Sequence, residues 1–313
     1  MNTLLLPIIH DSEILFRPFI HPKLSLHGRI VFLPTALPLR EKGIPHPQAV
    51  LQYKAHTSHR PALIISEPLA LAPSATAATM PAFYNGAALR EWKRICRAVH
   101  TEHCKFAPQL FLAAEPEACH NISKTTLAQA RNTYASAAAQ TYAIGADALV
   151  LHAGYGSILH QFLREDSNTR TDEYGGDPTR RARFVCECIH AIRKNTARSF
   201  PIIIALSQWD TVDSSPLAAT PHELEELLHA LCAAGADAFL CNTQNVNRPA
   251  FYGNQLTFAA WVRLLTHKPT IAELPLSAAT APEFTDILRL IHSEKIDLIA
   301  HRPPTAPPPS PTF

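Results

Sequence analysis

Short apolar runs recur eight times along this chain of 313 residues, and the first seven are each followed by a longer amphipathic stretch. This alternation is typical of βαβ architecture, in which helices connect and cover buried parallel strands. The apolar runs are residues 29–34, 62–66, 105–110, 147–152, 201–206, 237–241, 269–272 and 297–300. The amphipathic stretches are residues 48–57, 87–101, 125–144, 179–196, 221–234, 256–266 and 282–293.

Eight strands and seven helices predict an α/β fold, a (β/α)8 TIM barrel. A doubly wound open sheet shows the same alternation and is the alternative, which the count of eight disfavours. Gly145 and Gly235 directly follow predicted helices, where a left-handed C-cap favours glycine. Residues 202–204 are three consecutive isoleucines, as expected of a parallel strand covered on both faces.

Prolines dominate the C-terminal end of the chain. Six of the eleven residues in 303–313 are proline, so the helix that normally closes such a barrel is predicted to be truncated or missing. We expect a single barrel domain over residues 1–302 and a disordered, proline-rich tail over residues 303–313. The tail also keeps open a different class of function, an interaction protein that binds partners through polyproline segments.

Composition narrows the function further. Lys and Arg total 28 against 26 Asp and Glu, and there are no basic blocks, so neither nucleic acid nor a membrane surface is an expected partner. No apolar run approaches the ~20 residues of a membrane span. The seven cysteines are odd in number and lack paired metal or redox spacing, which predicts no metal site and a cytoplasmic location. A small-molecule substrate is expected, and assembly into a homo-oligomer is left open.

The segment after the fourth apolar run is the most informative motif. It reads His-Ala-Gly-Tyr-Gly-Ser over residues 152–157, Arg-Thr-Asp-Glu-Tyr-Gly-Gly over residues 170–176 and Arg-Ala-Arg-Phe over residues 181–184. It closely resembles the corresponding segment of the Old Yellow Enzyme family, the FMN-dependent ene-reductases also called NADH:flavin oxidoreductases. Weaker similarity extends over nearly the whole chain, and the resemblance implies an FMN-binding barrel.

The resemblance also implies roles for individual residues. Gln109 is expected to hydrogen-bond the flavin pyrimidine edge, and Arg302 to contact the phosphate. The backbone of Pro34, Thr35 and Ala36 is expected to lie along the isoalloxazine ring. The implied cofactor is FMN, with NAD(P)H as the reductant.

Three residues of the motif are candidates for catalysis. By resemblance, His152 and Tyr155 hold the carbonyl or nitro oxygen of the substrate, and Ser157 occupies the position of the proton donor. Donors of this kind polarise an activated alkene and stabilise the developing enolate. The expected activity is therefore the reduction of enones, quinone-type or nitro-type alkenes by hydride from reduced flavin.

Several positions depart from the family pattern. Ser157 stands where a tyrosine is usual, Ala36 where Thr or Cys is usual, and Ala205 where an arginine is usual. Residues 273–276 read Glu-Leu-Pro-Leu where the family has a Gly-Gly phosphate loop. These departures keep open a third class of function, a folded but catalytically impaired homologue. Residues 168–183 are expected chiefly to tie the barrel rim together.

Overall fold

The eight predicted strands close into one barrel. The computed structural model describes residues 12–34, 38–39, 41–74, 78–114, 119–209, 215–242, 248–274 and 281–302. Every strand pairs in parallel with its neighbours in chain order, and β1 pairs with β8, so the sheet has no open edge. This closure confirms the (β/α)8 barrel and excludes the open sheet. The proline-rich tail lies outside the described residues.

The elements lie close to their predicted positions. The strands are β1 Ile30–Phe32, β2 Leu63–Ala70, β3 Lys105–Phe111, β4 Leu149–Ala153, β5 Ile202–Ser207, β6 Ala238–Asn242, β7 Thr270–Leu274 and β8 Leu298–His301. The helices of the described ranges are α1 Gln48–His56, α2 Gly86–His100, α3 Lys124–Ala143, α4 Ile158–Leu163, α5 Pro178–Lys194, α6 Pro221–Ala234, α7 Phe258–Thr266 and α8 Ala281–His292.

Two elements differ from the sequence prediction. The short helix α4 was not predicted, because six residues carry too little periodicity to separate a helix from a loop. Strand β2 continues to Ala70, although the prediction ended it at Ser66, before Pro68. A shift in the pairing register between Ile65 and Pro68 accommodates the proline, which has no N–H to donate to the ladder.

The barrel lumen is filled by apolar side chains that alternate along each strand with side chains facing the helices. Their burial excludes water from the inside of the barrel. The lumen residues, all on strands except Leu33, which directly follows β1, are Val31, Leu33, Leu63, Ile65, Ala107, Val150, Ile203, Ala205, Ala238, Leu240, Ile271, Leu298 and Ala300. The inward positions beyond this layer lie at the C-terminal ends of the strands, which we call the barrel mouth.

The opposite, N-terminal end of the barrel is closed by a hairpin that precedes β1. Phe19 and Leu26 exchange two backbone hydrogen bonds, of 2.9 and 2.8 Å. Their side chains and that of Leu24 join the apolar cluster of the lumen. We call this end the barrel floor. Because the floor is plugged, a ligand of the lumen has to enter through the mouth.

Helix ends and turns follow the local signals of the sequence. Gly145 and Gly235 adopt φ angles of +89° and +115°, which confirms the left-handed conformation expected after α3 and α6. All seven cysteines are free thiols. None of the described helices has the length and apolarity needed to cross a membrane.

Candidate active site

Gln109 and His152 form the centre of the barrel mouth. Each lies two residues beyond a lumen residue on its strand, so both side chains point inward. The Gln109 amide Nε2 donates a hydrogen bond of 3.2 Å to His152 Nδ1. An accepting Nδ1 leaves the imidazole proton on Nε2. Gln109 therefore holds His152 in the tautomer that donates from Nε2.

The surroundings of His152 keep the ring neutral. Burial within the protein lowers the pKa of His152 from 6.5 to about 4, and the positive charge of Arg302 contributes in the same direction. The Nε2 atom lies 3.4 Å from the Tyr155 carbonyl oxygen, a long hydrogen bond. The Phe111 ring packs edge-on against the imidazole, with ring centroids 5.4 Å apart. His152 is thus a neutral donor whose proton is only weakly engaged by the protein.

The other two candidate catalytic residues lie in the loop after β4 and serve it differently. Tyr155 offers its carbonyl oxygen to His152, while 73% of the residue surface is exposed. Ser157 is buried and caps α4: its hydroxyl donates to the Gly154 carbonyl oxygen at 2.9 Å and accepts from His160 N at 3.1 Å. The hydroxyl of Ser157 is therefore engaged on both sides within its own loop.

Ser207 and Asn242 extend the polar surface of the mouth across β5 and β6. They pair in the strand register, each two residues beyond a lumen residue. A Cβ atom at Gly154 would lie 3.3 Å from Ser207 Oγ and 3.4 Å from His152 Nε2, so glycine lets these two groups approach the loop. The buried Asn242 Oδ1 accepts no hydrogen bond from any described residue. Asn242 was not among the predicted site residues, although extending the alternation from Leu240 would have found it.

Arg302 and Glu273 form an ion pair at the ends of β7 and β8. Both Nε and Nη2 of Arg302 donate to Glu273 Oε1, at 3.1 and 2.9 Å. Arg302 was predicted as a phosphate ligand, whereas Glu273 was noted only as a missing glycine. A carboxylate of this chain is therefore the partner of the arginine in the mouth.

The end of β1 is described only in part. Pro34 is buried, and the preceding Leu33 continues the pairing with β8 through a 2.9 Å bond from its N–H to the His301 carbonyl oxygen. Thr35 and Ala36, which were predicted to lie along the flavin, are outside the described residues. So are Pro275 and Leu276 of the predicted phosphate loop.

The motif over residues 168–184 is bonded mainly to the barrel rim. Asn168 donates from Nδ2 to the carbonyl oxygens of Phe162 and Tyr174, both at 2.7 Å. Arg170 pairs with Asp172 and also donates to two carbonyl groups near the start of α3. The guanidinium beside Asp172 lowers the pKa of that carboxyl to about 2. These contacts agree with the expectation that the segment orders the rim.

A separate cavity of about 620 Å³ lies beside the mouth, between the segments that follow β1 and β2. Its lining residues Ala70 and Met80 pack on Phe111, which contacts His152 on its other side. The Gln109–His152 hydrogen bond and the Glu273–Arg302 ion pair lie in the mouth, outside the lining of this cavity.

Comparisons with known proteins agree with this arrangement. The model of the NADH:flavin oxidoreductase / NADH oxidase family matches residues 109–272, slightly more than half of the chain. A chanoclavine-I aldehyde reductase of Penicillium roqueforti is 26% identical over 311 residues, covering 89% of this chain and 82% of the relative. The 12-oxophytodienoate reductase 7 of Oryza sativa subsp. japonica is 26% identical over 270 residues, which cover 74% of this chain and 68% of the relative.

The fold is also similar to that of solved structures. An old yellow enzyme homologue from Zymomonas mobilis superposes with a TM-score of 0.77 at 17% sequence identity. The superposition covers 92% of this chain and 88% of the homologue. At this identity the similarity establishes the barrel architecture.

Proposed function

Because the chain belongs to the NADH:flavin oxidoreductase / NADH oxidase family, we propose that its barrel mouth reduces activated alkenes such as enones, quinone-type and nitro-type compounds. Family membership implies an oxidoreductase that uses FMN, with NAD(P)H as the reductant. The observation that carries the proposal is the Gln109–His152 hydrogen bond, which supports a neutral imidazole donating from Nε2.

The described residues fit the ring of a flavin. The apolar layer around Ala205 offers a surface on which a flat aromatic ring can lie, and Gln109 offers an amide at the edge of that surface. Asn242 Oδ1, which accepts no hydrogen bond within the described part of the chain, is an acceptor suited to an N–H group of a bound molecule. When bound, FMN supplies the hydride. The phosphate end differs, because the guanidinium of Arg302 is already paired with Glu273.

His152 acts on the substrate oxygen in this proposal. The carbonyl oxygen of a substrate within reach of His152 Nε2 would accept a hydrogen bond from this atom. That bond would replace the long contact from Nε2 to the Tyr155 carbonyl oxygen. This bond strengthens as negative charge develops on the oxygen during reduction. A neutral donor also avoids placing a second cation near Arg302. Because the Ser157 hydroxyl is used within the α4 cap, the proposal moves the role of proton donor from Ser157 to Tyr155.

The test of this function is ligand binding and turnover in a His152→Ala variant. Phenols, which present an oxygen to the same donor, are expected to bind the flavin-loaded variant about tenfold more weakly because one hydrogen bond is lost. Enone-dependent oxidation of NAD(P)H is expected to fall with it. The matched control is His190→Ala, because His190 is exposed on α5, outside the mouth. Unchanged phenol affinity in His152→Ala would remove His152 from the site.

A second candidate function is that of an impaired homologue with little or no flavin binding. It is favoured by Ala205, which is fully buried in the apolar layer and leaves β5 without the arginine that the family pattern predicts. A visible spectrum distinguishes the two candidates. A protein that stays colourless after incubation with excess FMN contradicts the reductase, whereas a yellow protein that reduces enones contradicts the impaired homologue.

A further inference from the structure

The Glu273–Arg302 ion pair occupies a position that barrels commonly use for phosphate. In (β/α)8 enzymes, phosphate groups frequently bind at the ends of strands 7 and 8. Glu273 is the fourth residue of β7, and Arg302 directly follows β8. Each lies two residues beyond a lumen residue, Ile271 or Ala300, so both side chains start from inward positions of the mouth.

The electrostatic influence of Arg302 extends to the centre of the mouth. Its positive charge is among the causes that lower the pKa of His152. The side chains of Arg302 and Glu273 are 33% and 14% exposed, so the pair is partly shielded yet reachable by a ligand. The pair therefore belongs to the same site as Gln109 and His152.

A carboxylate at this position changes what the arginine can bind. A phosphate monoester carries a charge close to −2 at neutral pH, and a guanidinium normally holds it through charge-assisted hydrogen bonds. Here Nε and Nη2, which form one side of the guanidinium, both donate to Glu273 Oε1. A phosphate that approached this side would displace the carboxylate or lie next to a like charge. Glu273 thus offsets the attraction that Arg302 alone would exert.

From this juxtaposition we infer that Glu273 is a specificity-determining residue: by neutralising Arg302, it makes flavin binding nearly independent of the terminal phosphate. The site then accepts riboflavin about as well as FMN. This inference rests on the proposed function in one respect, namely that a flavin occupies the mouth. It goes beyond that function because it names which part of the cofactor contributes to affinity and which part does not.

The test compares FMN and riboflavin on the same protein. The full-length chain, freed of bound flavin by dialysis, is titrated with each flavin while quenching of flavin fluorescence is followed. In the wild-type protein the two dissociation constants are expected to agree within about threefold, a difference below one hydrogen bond. In Glu273→Gln, FMN is expected to bind about tenfold more tightly while riboflavin changes less than about twofold, since only FMN carries the phosphate.

Two further variants isolate the ion pair. Adding Arg302→Gln to Glu273→Gln is expected to return FMN affinity to the wild-type value, because the freed guanidinium is gone. Glu102→Gln removes one negative charge at the floor, where Glu102 pairs with Lys54, and is expected to leave both affinities unchanged. A melting curve of each variant establishes that it is folded.

Each outcome bears on the inference. Wild-type protein that binds FMN more than about tenfold more tightly than riboflavin overturns it while the proposed function stands. Equal tightening of both flavins by Glu273→Gln also overturns it, because the phosphate is then not the group that Glu273 affects. If neither flavin binds any variant, the inference and the proposed function fail together. The wild-type comparison alone remains decisive should Glu273→Gln not fold.

Discussion

The mouth and the floor of this barrel use charged side chains in opposite ways. At the floor, three aspartates stand before β4, β6 and β8. Each accepts a backbone N–H near the start of the preceding strand, at 2.9 to 3.0 Å. Each also pairs with a basic side chain of the helix that leads into that preceding strand. The three pairs are Asp147 with His100, Asp237 with Arg193, and Asp297 with Arg263.

At the mouth, the polar groups are less fully used. His152 Nε2 makes only a long contact, and Asn242 Oδ1 accepts no bond from the described residues. The comparison teaches that charge at the floor closes the turns of the fold, whereas the mouth keeps hydrogen-bonding capacity for a ligand. This division agrees with the general separation of stability and function between the two ends of such barrels. The predictions below test it.

The largest expected effect is at the floor, for Asp237→Ala. Asp237 is buried, and it pairs with Arg193 and Lys23 at 2.6 Å each while accepting the Ile202 N–H at 3.0 Å. Removing the carboxylate leaves the side chains of Arg193 and Lys23 without their ion-pair partner and the buried Ile202 N–H without its acceptor. The free energy of unfolding is expected to fall by about 3 kcal/mol, as measured by urea denaturation.

The matched control for that variant is Glu273→Gln at the mouth. It also removes one carboxylate from an arginine, but the Arg302 side chain is partly exposed to water. A loss below about 1 kcal/mol is expected there. Equal losses at the two ends would contradict the division between them.

An intermediate effect concerns the titration of His152 at the mouth. Its pKa of about 4 lies below the ordinary 6.5, so between these values the unfolded chain binds a proton that the folded protein does not. The free energy of unfolding is therefore expected to decrease as the pH falls through this window. NMR of ring protons should give a midpoint near 4 for His152, assigned by its disappearance in His152→Gln. A midpoint near 6.5 would show that the mouth does not keep the ring neutral.

The smallest effect is expected for His100→Ala, again at the floor. His100 Nε2 lies 2.8 Å from Asp147 Oδ2, but the His100 side chain is 38% exposed. Asp147 retains the Phe106 N–H without it. A loss of about 0.5 kcal/mol or less is expected by urea denaturation. A loss as large as that of Asp237→Ala would mean that the solvent exposure of the side chains does not determine how much each of the three floor pairs contributes to stability.

Much of the fold was predictable because its signals are local. The apolar runs located all eight strands, and the glycines after α3 and α6 adopt the left-handed conformation that their positions predicted. Helix α4 was missed because its six residues are too few to show a helical period. The extension of β2 was missed because a proline normally ends a strand, and here a register shift accommodates it.

The candidate site was predictable only in part. Gln109, His152 and Arg302 were named from the family resemblance, and the structure brings all three into the mouth. Asn242 was missed because no motif marks it. The part that Glu273 plays was missed because an ion pair between residues that are 29 positions apart has no local signature. Where Thr35 and Ala36 lie relative to a flavin stays a prediction.

The sequence by itself determined that eight strands alternate with helices, and that His152 follows the fourth strand beside a glycine-rich loop. These properties depend on periodicity and backbone conformation within a few residues. Tertiary structure decided which ring nitrogen of His152 carries the proton and which carboxylate pairs with Arg302. Both depend on partners from other strands, Gln109 and Glu273, that only closure of the barrel brings within hydrogen-bonding distance.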